Sequence, residues 1–293
     1  MSAVSNKGEA TPSGNRLPSE LRNLIDRVRS RPLRTRLLQA SNMALTVGLG
    51  RQLGLVHLAE YPKCGGSWVR NMLQAYTRTE RFLDDRLLRR GDVVQVHRLQ
   101  KPWYRRTVVV TRDPRDMYVS FYYHETQYRE REKHLAVEHY FARDPSRPLR
   151  EDFAAYLEAK LTHVTHPPFT LAEFVRSWQA QPGALWVRYE DCLADAEAEL
   201  ARVVRELGLP VDRERVRQAV EANCFENATR ARGKLRKPGE ADPGSFERKG
   251  IAGDWKNHFD RRSCELLEHY EGASLRALGY ERDAGWIERF LTA

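Results

Sequence analysis

A strand, a glycine turn and a helix start follow one another in residues 55–76. The apolar run Leu55-Val56-His57-Leu58-Ala59 leads through Tyr61-Pro62-Lys63-Cys64-Gly65-Gly66-Ser67-Trp68 into the helix-compatible stretch Val69 to Tyr76. Such a turn makes a phosphate cradle. Two adjacent glycines let successive backbone N–H groups converge on an anion, and the positive end of the following helix faces the same point. Lys63 adds a full charge. A Walker A loop places its lysine after the second glycine of G-x-x-x-x-G-K-[ST], whereas Lys63 precedes both glycines, so an ordinary kinase or ATPase is disfavoured. Taken alone, so short a motif reads equally well as a plain strand-to-helix turn.

Two distant segments break that tie. Thr107 to Thr111 is β-branched and runs into Arg112-Asp113-Pro114-Arg115-Asp116-Met117-Tyr118-Val119-Ser120, a helix start with Asp113 as cap and Pro114 in its first turn. Near the C-terminus, Arg248-Lys249-Gly250-Ile251-Ala252-Gly253-Asp254-Trp255 pairs two cations with a glycine and adds a second glycine and an aromatic. Strands near 55–60, 92–97, 106–111 and 184–189 alternate with helical patterns over 66–78, 114–124, 151–161, 170–180, 195–208, 212–222 and 262–277. That alternation predicts an α/β fold with a parallel central sheet flanked by helices, its phosphate ligands gathered at the carboxyl ends of the strands.

On these residues the chain resembles the cytosolic-type sulfotransferases that use 3′-phosphoadenosine-5′-phosphosulfate, PAPS. Tyr61 to Trp68 is similar to the family's Y-P-K-S-G-T-T-W loop for the 5′-phosphosulfate. Arg112 to Ser120 is similar to R-x-P-x-D-x-x-V-S, which holds the 3′-phosphate, and Arg248 to Trp255 to R-K-G-x-x-G-D-W. The resemblance runs from Leu55 to Phe259 and implies a single domain with a P-loop-like phosphosulfate loop. It implies Lys63 and His97 as catalytic residues. It gives Lys63, Cys64, Gly65, Gly66, Ser67, Trp68, Arg112, Ser120, Tyr189, Phe225, Arg248, Lys249 and Gly250 to the nucleotide, with Trp68, Tyr189 and Phe225 around adenine. PAPS is then the cosubstrate, PAP (adenosine 3′,5′-bisphosphate) the product, and no metal is required. The acceptor would be a hydroxyl of a small or lipid-like molecule. A carbohydrate or glycolipid acceptor and a non-catalytic PAP- or PAPS-binding protein are the alternatives.

The departures from the pattern are specific. Cys64 stands for a serine, Gly66 and Ser67 for two threonines, and Gln95 for the lysine of the family's K-x-H-x-P, where His97 is the histidine. The dimer signature K-x-x-x-T-V-x-x-x-E keeps Lys256 and Glu265 but has Asp260-Arg261 in place of T-V, which leaves monomer and dimer both open.

Lys and Arg number 49 against 40 Asp and Glu, a net charge of +9. That balance suits an anionic cosubstrate, and the scattered arginines form no nucleic-acid-binding motif, so no nucleic-acid partner is expected. Cysteines at 64, 192, 224 and 264 have neither disulfide nor metal spacing, and no leader or long apolar segment is evident. A reduced, cytoplasmic chain is the expectation. Residues 1–18 read as a disordered tail and 19–293 as the domain, with basic helices over 19–53 before a core over 54–293. Those helices either cap the domain or touch an anionic membrane from residues 20–53, and the packed cap is the commoner outcome. Residues 125–170, rich in aromatics, read either as part of an acceptor pocket or as a mobile surface excursion, and 230–247 as a flexible basic lid.

Overall fold

Four short strands, the third of them β-branched throughout, form the sheet that positions everything else. In the computed structural model, which describes residues 24, 25, 27, 28, 30–82, 86–128, 140–163 and 166–292, strands β1 (Val56–Glu60), β2 (Val93–Val96), β3 (Thr107–Thr111) and β4 (Leu185–Arg188) pair in the order β2-β1-β3-β4. All pairs are parallel, with Ala59 opposite both Val96 and Val109, and Val110 opposite Val187. Every residue of β1 and β3 is buried, as a sheet covered on both faces requires. Successive β3 side chains alternate between two cores. Val108 and Val110 join Val56, Leu58, Leu73 and Val203, while Val109 joins Met117, Tyr122, Phe153 and Trp178. This is the period of two expected of a strand, and each such buried side chain contributes about 1.5–3 kcal/mol.

The helices are α1 (Arg31–Leu49), α2 (Gly66–Thr77), α3 (Pro114–Thr126), α4 (Leu149–Thr162), α5 (Leu171–Gln179), α6 (Tyr189–Ala194), α7 (Ala196–Glu206), α8 (Arg213–Ala222), α9 (Phe225–Ala231), α10 (Arg261–Ala277) and α11 (Trp286–Leu291). The strands and the longer helices fall within a few residues of the sequence reading. Asp113 caps α3 as expected, accepting from the Arg115 N–H at 2.9 Å. The three helices the reading lacks, α6, α9 and α11, are only six or seven residues long, too short to display a period.

Helix α1 packs Leu38, Asn42 and Leu45 against the protein, beside Ile25, Leu55, Leu87 and Leu88. The cap is therefore real, yet the opposite stripe of the helix, Leu33, Leu37, Ala40, Ala44 and Val47, is exposed. Among the described residues no helix is long and apolar enough to cross a membrane. Asp260, which interrupts the dimer signature, caps α10 by accepting from the Ser263 N–H at 2.8 Å. The expected tail, residues 1–18, and residues 129–139 of the aromatic segment lie outside the described residues.

Candidate active site

The candidate site collects at the carboxyl edge of the sheet. Lys63 follows β1, His97 follows β2, Arg112 follows β3 and Tyr189 follows β4. In an open α/β sheet this edge is where ligands bind.

Between β1 and α2 the chain turns through Lys63 at φ 73° and Gly65 at φ 91°. A non-glycine residue in the left-handed region is costly and is held there only by its surroundings. A side chain on Gly65 would overlap the Tyr189 ring. Cys64 is buried, its N–H bonds the Tyr61 carbonyl at 3.3 Å, and burial pushes its thiol well above the usual range. It is a neutral, buried side chain, and the Gly66 N–H of the same loop is given to the Glu60 carboxylate. Among the described residues the Gly65 and Ser67 amides meet no acceptor, as expected for groups at the open end of a helix.

The half-buried Lys63 ammonium lies 4.5 Å from the centre of the Phe246 ring. Burial, and then the Arg112 guanidinium, draw its pKa down to about 8, with Glu60, Glu247 and Glu125 pulling the other way. His97 places Nδ1 3.2 Å from the Glu60 carbonyl oxygen. A carbonyl can only accept, so in the neutral ring the tautomer that fits carries its proton on Nδ1 and leaves the lone pair on Nε2.

Arg112 stacks 4.4 Å over Tyr189 and donates to the Ile251 carbonyl at 3.0 Å, while its buried Nε meets no partner among the described residues. Tyr189 in turn meets Trp68 edge-on at 5.7 Å. The Ile251 bond ties the Arg112 segment to the Arg248-Lys249-Gly250 loop. Asp116 does the same by accepting from the Gly253 and Trp255 amides at 2.5 and 2.8 Å. Arg248 and Lys249 both pair with the buried Asp254, at 2.7 and 2.6 Å; the salt bridges and hydrogen bonds from these cations and Asn257 outweigh burial and hold that carboxyl well below the usual range. Gly250 has φ 64°, and a side chain there would overlap the Phe225 ring. The fold thus brings Phe225 to the Gly250 turn. Ser120 is half-buried on α3, two helical turns beyond Arg112.

Three features escaped the sequence reading. Residues 230–247 are not a loose lid: they fold around the buried Arg236, whose guanidinium donates to the Glu240 and Arg248 carbonyls at 3.0 and 2.9 Å. That organisation is what delivers Phe246 to Lys63. His124 on α3 stacks on Tyr128 at 5.0 Å and keeps Nδ1 unpartnered among the described residues; burial, and then Lys63, push it down to about 3, so it is neutral. Glu60 is buried, and its carboxylate accepts from the Gly66 N–H at 2.6 Å. From the aromatic segment, Phe153, Tyr156 and Phe169 turn out to be core, and Phe169 and Lys160 also line an open cleft together with Tyr61, Tyr118, Tyr270 and Glu271.

Comparison with known proteins follows the same lines. A family model described as "Sulfotransferase domain" matches residues 95–279. Sulfotransferase 2B1 of Mus musculus is 26% identical over 174 residues, 56% of this chain and 46% of that protein. Sulfotransferase 1E1 of Cavia porcellus is 25% identical over 259 residues, 73% of this chain and 81% of that protein. The chain spans less than half the length of the 2B1 relatives it matches. Among solved structures, mouse sulfotransferase SULT7A1 complexed with PAP superposes with a TM-score of 0.52 at 18% identity, covering 82% of this chain and 94% of that one. Retinol dehydratase in complex with androsterone and PAP gives 0.52 at 17%, covering 80% and 85%. At those identities the likeness is one of fold. The family match takes in His97, Arg112, Tyr189, Phe225 and the Arg248–Gly250 loop, and by it the chain belongs to the sulfotransferase-domain family.

Proposed function

We propose that the chain transfers a sulfuryl group from PAPS to a hydroxyl of a small or lipid-like acceptor. The observation that carries this reading is the meeting, at one sheet edge, of an anion loop with open amides, a cation stacked on an aromatic pair, and a histidine with a free Nε2 lone pair. The residues fit the cosubstrate. Gly65, Ser67 and Lys63 would hold the 5′-phosphosulfate, and Arg112, Ser120, Arg248 and Lys249 the 3′-phosphate. Trp68, Tyr189 and Phe225 would enclose the adenine. Bound there, the cosubstrate supplies an activated sulfuryl group and a phosphate leaving group.

Sulfuryl transfer spreads negative charge over equatorial oxygens and leaves it on the departing phosphate, so fixed cations and N–H donors supply most of the stabilisation. Lys63 is the cation closest in sequence to the loop's amides. His97 takes the acceptor proton at Nε2, and its Nδ1–H bond to Glu60 keeps the ring oriented. The cleft that opens at Tyr61, two residues before Lys63, is the proposed acceptor pocket; its mixed tyrosine, lysine and phenylalanine lining suits an amphiphilic alcohol or phenol. None of these steps requires a metal.

A membrane supply of such acceptors follows from α1. Its exposed stripe recurs at helical spacing through Leu33, Leu37, Ala40, Ala44 and Val47, and residues 27–59 contain six arginines and no acidic residue. An anionic bilayer complements that charge, whereas a second copy would set arginine against arginine. The test supplies PAPS with phenols, sterols, quinols and sugars, in solution and in phosphatidylglycerol vesicles, and follows PAP release and co-sedimentation. The chain is expected to sediment at low salt and to dissociate as salt rises, while a Leu33→Glu/Leu37→Glu variant stays in solution. Failure of the unaltered chain to sediment at low salt makes α1 a cap only. Tight PAP binding without release on any acceptor favours the non-catalytic alternative.

A further inference from the structure

Two of the chain's departures from the family motif, Gly66 and Gln95, meet at one buried carboxylate. Glu60 ends β1 and is 3% exposed. One of its oxygens accepts from the Gly66 N–H at 2.6 Å, at the first turn of α2. The other accepts from the Gln95 side-chain amide, whose carbonyl oxygen accepts in turn from the Arg70 guanidinium. A side chain on Gly66 would overlap the Glu60 carboxyl group. The glycine therefore makes room for the glutamate, and the glutamine supplies it with a donor. Lys63, whose ammonium is drawn down by burial, feels the same carboxylate.

We infer that Glu60 is an internal occupant of the phosphosulfate loop and sets how tightly that loop holds its ligand. The inference rests on the donor-site reading proposed above. A helix N-terminus with converging amides attracts an anion, and here the chain's own carboxylate already takes one of those amides. A ligand anion entering the loop must share or displace that bond and must approach a like charge, which lowers its affinity. The open amides of Gly65 and Ser67 receive the ligand first, and the Gly66 N–H becomes available only as Glu60 yields it. Glu60 thus favours departure of the spent nucleotide over its retention.

The test measures the dissociation constant of adenosine 3′,5′-bisphosphate by calorimetry for the full chain, Glu60→Gln and Glu60→Ser. Glutamine keeps the shape and removes the charge, and serine removes the carboxyl group altogether, so a folding failure of one leaves the other informative. Both are expected to bind about tenfold more tightly, the scale of one charge-assisted hydrogen bond. A purely structural cap predicts the opposite, a lower melting temperature with unchanged or weaker binding. If the unaltered chain binds and neither folded variant binds more tightly, the role of Glu60 is overturned while the donor site stands. If neither the unaltered chain nor the variants bind, the donor-site reading is overturned and this inference falls with it.

Discussion

Lys63→Ala is expected to lower turnover by about 10²–10³-fold, the usual effect of removing one fixed donor from developing negative charge, and to weaken bisphosphate binding as well. The two losses belong together because the proposed site gives one ammonium to both the ground-state anion and the leaving phosphate. Its pH dependence identifies it. Burial lowers the Lys63 pKa to about 8, so the charged form that holds the anion prevails below that pH and is lost as pH rises through it. Bisphosphate affinity and kcat/KM are expected to fall on that alkaline limb. Because a bound anion favours the ammonium, binding near pH 8 should take up protons, which calorimetry in buffers of different ionisation enthalpy detects. The alkaline limb should vanish in Lys63→Ala. A variant that keeps both affinity and limb places the cation elsewhere.

His97→Ala is expected to cut turnover by about 10²–10⁴-fold, the range for a positioned general base, with bisphosphate affinity close to that of the unaltered chain. The separation follows from position: His97 follows β2 and is held by the Glu60 carbonyl, 3.2 Å away, while none of the residues proposed for the nucleotide follows β2 directly. Steady-state rates and a binding isotherm on the same preparation check both halves. Full turnover in His97→Ala, on an acceptor with an ordinary alcohol, would make the histidine structural.

The strands were legible because a parallel sheet buried on both faces is spelled as short, largely apolar runs, β-branched throughout in Thr107 to Thr111, and each run is followed by a candidate site residue. The loop residues were legible for a related reason: Gly65 and Gly250 are required by backbone angles and by the Tyr189 and Phe225 rings they face, and such requirements appear as glycines in the sequence. Glu60 was not. A glutamate closing an apolar strand reads as the first surface residue, and only the turn of the chain brings its carboxylate back over Gly66. Arg236 was hidden similarly, as one arginine in the basic run from Arg230 to Lys237, although it alone of that run's cations is buried. Helix α1 was read as either a cap or a membrane face; it buries one stripe and exposes the other, an outcome that hydrophobic spacing alone does not separate.

The central claim is that Arg112, Ser120, Arg248 and Lys249 recognise a 3′-phosphate while the Gly65–Ser67 loop receives the 5′ group. It is tested most directly by the melting temperature in the presence of adenosine 3′,5′-bisphosphate, AMP and ATP, since a ligand that binds only the folded chain stabilises it. The bisphosphate is expected to raise the melting temperature and the other two are not. In Arg112→Ala, which loses a charge-assisted contact of about 1.5–3 kcal/mol, the bisphosphate shift should shrink as affinity falls roughly tenfold or more. Equal shifts with AMP and the bisphosphate would contradict the claim.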